Sequence, residues 1–209
     1  INNRKLRALR TALPNSAWTP SKKRQWTTID IDDERELALI DQRQPFRQGN
    51  SDQNTFIISW LKGVLSAMDD VDSIVELFCG SGNFTHVLAE TSAAHIVALE
   101  GDDASIAALT ARGLRGVTGV RANLFSESDI RTLVPNVNGR LGVVMDPPRE
   151  GLKERAALTT LFSSARWVVY IACDLATWER DSGFLSDCGL SLQEARGLDM
   201  FPQTPHMAY

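Results

Sequence analysis

The sequence predicts an α/β fold, a mostly parallel sheet with helices on both faces. Three observations lead there. From Phe46 onward, near-continuous apolar runs alternate with helix-length segments, as expected for strands buried on both faces. The segments that carry chemistry, at Gly80, Glu100, Asn123, Asp146 and Cys173, each follow such a run, and in these sheets ligands sit beyond the carboxyl ends of the strands. At 209 residues, 43% hydrophobic and 23% charged, the chain has room for one substantial core and an arm.

The elements can be justified in order. Ser51 and Asp52 can cap a helix whose apolar residues Phe56, Trp60, Leu61, Val64, Leu65 and Met68 recur at three- and four-residue steps. A strand follows over 73–78, then the Gly80–Gly82 turn and a helix over 83–91. The run 95–99 ends on Glu100 and leads to a helix over 103–112. Residues 117–121 form a weaker strand candidate ending near Asn123. The run 141–145 stops at Asp146-Pro147-Pro148-Arg149, because two prolines remove two N–H donors and stiffen the loop. A helix over 154–164, a strand over 167–172, a helix over 174–187 and a last strand over 190–198 complete the alternation. Residues 1–45 stay outside it, apart from a candidate strand at 26–31.

Charge divides the chain. The net charge is −4, yet residues 1–25 hold seven Lys or Arg and no acid, which leaves −11 on the rest. Such a cationic segment is either a solvated terminus or an arm that touches a phosphate backbone. The expected organisation is a basic N-terminal arm, or remnant of a preceding domain, over 1–45 and a cofactor-binding domain over 46–209. No run of about 18 apolar residues occurs, so no membrane span is expected, and the start has no apolar signal region. The three cysteines, Cys79, Cys173 and Cys188, lack metal-ligand spacing. A reduced cytoplasmic compartment and no metal are expected.

The motifs point to a nucleoside cofactor. Gly80 and Gly82 permit a tight turn with close backbone approach, and the helix behind them offers amide N–H groups. A dinucleotide loop would carry a third glycine at position 85, where this chain has Thr. The pattern fits a cofactor without a pyrophosphate. Glu100, 18 residues beyond Gly82, stands where an acid accepts hydrogen bonds from ribose hydroxyls; the alternative is a plain surface charge. Cys173 follows an apolar strand and precedes a helix, whose N-terminus favours thiolate while Asp174 opposes it. The alternative for Cys173 is a buried small hydrophobe. Cys79 is expected to pack inside the turn, Cys188 beneath the last strand, and His86 and His95 to be structural or exposed.

In these residues the chain resembles the S-adenosylmethionine-dependent RNA 5-methyluridine methyltransferases. The likeness runs over about residues 44–207 in an ordered series: Phe46-Arg47-Gln48-Gly49-Asn50, the turn at 77–84, Glu100, Asn123, the loop at 146–152, the segment at 170–181, and Leu198-Asp199-Met200-Phe201-Pro202-Gln203-Thr204-Pro205-His206. The resemblance implies a class I methyltransferase, Rossmann-like fold. It implies that Gln48, Phe78, Asn83, Glu100, Asn123 and Asp146 contact S-adenosylmethionine, beside the turn glycines Gly80 and Gly82. It also implies that Cys173 is the nucleophile. C5 of uracil is a poor nucleophile, so the family adds a cysteine sulfur to C6 to form an enolate; a base later takes the C5 proton and the sulfur leaves. The substrate implied is RNA (tRNA or rRNA), with the target base taken out of its stack.

The chain departs from the family pattern at three places. Asp174-Leu175 stands where the family has Asn-Pro, and Ala208 stands where it has the glutamate expected to accept the proton. The family's N-terminal RNA-binding barrel and its final sheet strand are not represented. A chain with Cys173 but without that acceptor is expected to stall as a covalent adduct or turn over slowly. Two other readings stay open: methyl transfer to an amine or small molecule, and a diverged cofactor-binding module that contacts RNA or protein.

Overall fold

The computed structural model describes residues 51–68, 71–133 and 139–197, which belong to one compact unit, Asn50–Tyr209. The basic arm, the candidate strand at 26–31, Gln48 with its motif, the motif at 198–206 and Ala208 lie outside the described residues.

Helix α1 (Ser51–Ala67) precedes β1 (Ser73–Leu77), α2 (Thr85–Thr91), β2 (His95–Glu100), α3 (Asp103–Ala111), β3 (Val117–Arg121) and α4 (Glu127–Leu133). Then come β4 (Leu141–Met145), α5 (Arg155–Ser164), β5 (Ala165–Tyr170) and α6 (Leu175–Asp187). The five strands form one parallel sheet in the order β3-β2-β1-β4-β5. The chain steps outward from β1 to β2 and β3, then returns to the other side of β1 with β4. That reversal opens a crevice at the carboxyl ends of β1 and β4, where open α/β sheets bind ligands.

Alternate residues of each strand face opposite sides of the sheet, and two apolar clusters result. Ile74, Ile96, Ala98, Val144 and Val169 pack with Ile57, Leu61, Val87, Leu88 and Leu109 on one face. Val75, Leu77, Leu99, Val143 and Met145 pack with Ile130, Leu158, Leu161 and Phe162 on the other. Burying an aliphatic or aromatic side chain of this kind contributes roughly 1.5–3 kcal/mol. Every residue of β4 is buried, in keeping with its place between two strands and two helical layers.

Register places the functional segments side by side. Leu77 lies opposite both Leu99 and Met145, and Met145 lies opposite Tyr170. Phe78, Glu100, Asp146 and the segment leading to Cys173 therefore leave the sheet on one edge.

The structure departs from the sequence reading in four places. The strand expected over 167–172 runs from Ala165 to Tyr170 and slips register beside Gly142. A Cβ at Gly142 would collide with the Trp167 ring, so the indole occupies the space and shifts the pairing. The helix after the glycine turn starts at Thr85 rather than residue 83. Helix α4 was not expected, although Ser126 and Asp129 form its local cap, with the Asp129 amide donating to Ser126 Oγ at 3.4 Å. Residues 191–197 form no strand and are exposed, Leu192 at 68%. Their alternation of apolar and polar residues finds no strand to pair with among the described residues. Gln193 and Arg196 instead bond locally, to Ser191 and Glu194.

Candidate cofactor site and nucleophile

The glycine turn is held from three directions. Gly80 has φ +54° and Gly82 φ +91°, left-handed values that suit glycine. The Cys79 amide donates to Leu99 O at 3.0 Å, pinning the turn to β2. Arg112 Nη1 donates to Gly82 O at 2.6 Å and to Ser81 O at 3.2 Å. Glu100 completes the hold: its Oε2 accepts from the Gly80 amide at 3.1 Å. Its Oε1 accepts from the amides of Gly101 and Asp102 at 2.7 and 2.9 Å. A Cβ at Gly80 would meet nothing within 4 Å, so this side of the turn is open to a ligand's close approach. Phe78 also has a left-handed backbone, φ +60°, unusual for a bulky side chain. That bend turns its ring toward Phe125, with centroids 5.8 Å apart.

The remaining expected cofactor residues flank this turn. Asn83 and Asn54 exchange side-chain amide bonds of 2.9 and 3.1 Å, so Asn83 is tied to α1. Asn123 is exposed at the end of β3; its Oδ1 accepts from the Phe125 amide at 3.0 Å, and its own amide donates to Asp129 Oδ2 at 2.8 Å. Asp146 is half-buried directly after β4, and its amide donates to Leu77 O at 3.4 Å across the crevice. The turn, Glu100, Asn123 and Asp146 thus share one edge, as the sequence reading expected.

Cys173 is exposed on the same edge, between Ala172 and the N-terminus of α6. Burial of the thiol pushes its pKa up, and the charge of Asp146 adds to the effect; Arg149 pulls it down, and Asp174 pushes it up again. The net direction is upward, against the thiolate tendency expected from the helix N-terminus. Asp174 is occupied as the cap of α6, accepting from the Thr177 amide at 2.9 Å, and that bond holds its carboxyl below the usual range. Cys79 is buried, as expected, with its thiol pushed up chiefly by burial.

Sequence reasoning missed several residues that shape the site. Glu76 sits in β1 at 2% exposure, with Oε2 making no hydrogen bond to the described residues. Burial pushes its pKa up to about 8, opposed by Thr85 and reinforced by Asp146. The signal was an acid inside the apolar run Ile74-Val75-Glu76-Leu77, since carboxylates are almost never fully buried without a partner. Phe125, at 36% exposure, carries Lys153 Nζ 4.4 Å from its ring centroid. Asp181, fully buried in α6, accepts from the Leu152 amide and the Tyr170 hydroxyl. No periodic pattern marks it in advance. Among the described residues, no three His, Cys, Asp or Glu side chains cluster as a metal site.

Sheet order, a glycine turn after the central strand and an acid after the next define a class I methyltransferase fold. Two solved structures share it. An S-adenosylmethionine-dependent methyltransferase from Agrobacterium tumefaciens is 13% identical, with TM-score 0.50 over 65% of this chain and 50% of that one. Precorrin-6y C5,15-methyltransferase from Geobacter metallireducens is 16% identical, with TM-score 0.53 over 73% of this chain and 84% of that one.

Sequence narrows the class. Residues 25–123 match the model of the tRNA (uracil-5-)-methyltransferase family. The chain is 39% identical over 204 residues to an uncharacterized RNA methyltransferase of Nitrosomonas europaea, covering 97% of this chain and 52% of that protein. It is 35% identical over 188 residues to the 23S rRNA (uracil(1939)-C(5))-methyltransferase RlmD of Hahella chejuensis, covering 83% and 40%. In sequence the chain is thus similar to RNA uracil-C5 methyltransferases. It spans about half the length, or less, of these curated relatives.

Proposed function

We propose that this chain binds S-adenosylmethionine at the carboxyl edge of the sheet and methylates C5 of a uridine in RNA. The observation that carries the reading is the convergence of the open Gly80–Gly82 turn, Glu100, Asp146 and Cys173 on one edge. The residues fit the cofactor. Gly80 leaves room for close approach, Glu76 Oε2 is a buried oxygen with no hydrogen bond among the described residues, and Glu100 and Asp146 supply further acceptors beside the turn. Phe78, Gly80, Gly82, Asn83, Glu100, Asn123 and Asp146 would hold it, together with Gln48 from outside the described residues. When bound, the cofactor supplies an electrophilic methyl group.

Cys173 does the activating chemistry. Its thiol loses a proton and the sulfur adds to C6 of uracil, which makes C5 an enolate carbon able to take a methyl group. A base then removes the C5 proton, the C6–S bond breaks, and the thiolate is returned. Arg149 favours the thiolate while Asp146 and Asp174 oppose it. The base expected in the family is replaced by Ala208, and turnover after methylation is accordingly slow. The target base is taken out of its stack to reach the thiol. In this reading residues 46–209 are the methyltransferase domain, residues 1–45 are a basic arm or part of a preceding domain, and the protein works in the cytoplasm.

A second reading has specific support: the raised thiol together with Asp174 and Ala208 suits a module that binds the cofactor with little turnover. Incubation with methyl-labelled S-adenosylmethionine and total RNA, followed by nucleoside analysis, separates the two. Label in 5-methyluridine that is lost in Cys173→Ser supports uridine methylation. Bound cofactor with no label transferred supports the module. Label on an amine, or transfer that survives Cys173→Ser, overturns the uridine mechanism.

A further inference from the structure

Two segments of the proposed site, the loop after β4 and the head of α6, are tied together by side chains of α6. Their common anchor is Asp181. It lies two turns into α6 and is fully buried, and both carboxylate oxygens are engaged. Oδ2 accepts from the Leu152 amide at 2.9 Å and from the Tyr170 hydroxyl at 3.0 Å. Oδ1 accepts from Arg155 Nη2 at 2.9 Å and from Arg180 Nε at 3.1 Å. One carboxylate therefore joins the Pro-Pro loop, the end of β5, the start of α5 and α6 itself.

Its surroundings are built for that contact. A burial this complete is costly for a charge unless it is paired and hydrogen-bonded, and here two guanidinium groups and two further donors meet that need. Two outer ties run in parallel, Thr177 Oγ1 to Arg149 O at 2.8 Å and Arg180 Nη2 to Glu150 O at 2.7 Å. Gly151, with φ +65°, leaves the gap through which Asp181 reaches the loop; a Cβ there would run into Asp181 Oδ2 and Thr177 Cγ2. At the N-terminus of the same helix, Asp174 caps α6 immediately after Cys173. Displacing α6 from the loop must therefore displace the thiol from Asp146 and Arg149.

We propose that Asp181 is a positioning residue, clamping the Asp146–Leu152 loop to the helix that directly follows Cys173 so that thiol and loop close on the same base. The claim rests on the proposed function for its kinetic consequence and stands on geometry for its effect on the thiol. Asp181→Asn cannot accept at all four bonds, because its carboxamide nitrogen only donates. Tyr170→Phe removes a single bond and keeps the ring in the core, so it guards against simple unfolding.

The test uses the full chain in three measurements: S-adenosylmethionine affinity by calorimetry, methyl transfer to RNA, and the pH profile of Cys173 alkylation by iodoacetamide, read by peptide mass spectrometry. With the clamp loosened, the thiol of Cys173 moves away from Asp146, whose charge opposes the thiolate. The expected result is therefore alkylation at neutral pH severalfold faster in both variants, more so in Asp181→Asn. The maximal transfer rate falls about ten- to a hundredfold, as expected for a misplacement of about 1 Å, while cofactor affinity falls less, because the glycine turn, Glu100 and Asn123 lie outside the clamped loop and only Asp146 belongs to it. Wild-type alkylation and transfer in Tyr170→Phe, whether Asp181→Asn folds or not, overturn the proposal. An altered alkylation profile in a chain that transfers no methyl group even as wild type supports the clamp and overturns the proposed activity. Normal transfer in the wild type with unmoved profiles in both variants overturns the clamp alone.

Discussion

Glu100 Oε2 accepts the Gly80 amide at 3.1 Å, so the acid that ends β2 also shapes the turn that ends β1. Three backbone amides point at this one carboxylate. A position that the sequence marks as a ribose acceptor is thus first an organiser of the loop around it. In the proposed function, binding and folding are therefore coupled through one side chain.

Replacing it tests that coupling. Glu100→Gln offers one acceptor oxygen where two oxygens now serve three donors, and its amide nitrogen faces N–H groups. We expect about 0.5–1.5 kcal/mol of stability to be lost, the net worth of a hydrogen bond whose exposed or part-buried donor can turn to water. S-adenosylmethionine affinity should fall by about tenfold or more. Urea unfolding and calorimetry check both; unchanged affinity with lost stability would leave Glu100 a purely structural residue.

Glu76 makes stability depend on pH in an unusual direction. Its pKa is pushed from 4.5 to about 8 by burial. The folded protein therefore holds a proton that the unfolded chain releases above about pH 4.5. Between the two values the folded state binds more protons, so stability falls as pH rises, at up to about 1.4 kcal/mol per pH unit from this group. It is fully favourable only below the unfolded value. Glu76→Gln should flatten the slope of unfolding free energy between pH 5 and 8. A slope that persists in the variant would assign it to other groups.

How much of this was legible beforehand depends on whether the cause was local. The strands at Ile74, Ile96 and Val143 announce themselves because burial on both faces demands continuous apolar runs. The edge holding Gly80, Glu100, Asp146 and Cys173 was legible because topology puts every strand end of a parallel sheet together. Asp181 was not, because its four donors come from residues 152, 155, 170 and 180 and only the folded chain brings them to one point. The segment after Gly189 misled for the converse reason: Leu190 and Leu192 alternate with polar residues, but a strand requires a partner as well as a period.

Asp174 separates capping from charge beside Cys173, the proposed nucleophile. Asn accepts the Thr177 amide as well as Asp does and is an equally good helix cap, but it carries no charge beside Cys173. Asp174→Asn should therefore leave stability within about 0.5 kcal/mol. It should lower the pH at which Cys173 becomes reactive, because one of the groups raising its pKa is gone. The alkylation profile of Cys173 should move to lower pH. No movement would mean that burial and Asp146 alone set the thiol.

The two turn glycines should fail in different ways when each gains a methyl group. At Gly82 the new Cβ would stand 2.6 Å from Leu109 Cδ1 and 3.1 Å from Arg112 Nη1, at a backbone φ of +91°. Both the clash and the strain fall on the folded state, so Gly82→Ala should lower stability by about 1–3 kcal/mol. At Gly80 the Cβ would meet nothing, and only the φ of +54° opposes it, a cost of roughly 1–2 kcal/mol. That empty volume is where the backbone is closest to an incoming cofactor in the proposed function. Gly80→Ala should therefore be the milder fold defect and the more specific binding defect. At a temperature where both variants are folded, calorimetry should show weaker S-adenosylmethionine binding for Gly80→Ala out of proportion to its loss in melting temperature. If Gly80→Ala binds as tightly as wild type, the cofactor does not approach this face of the turn.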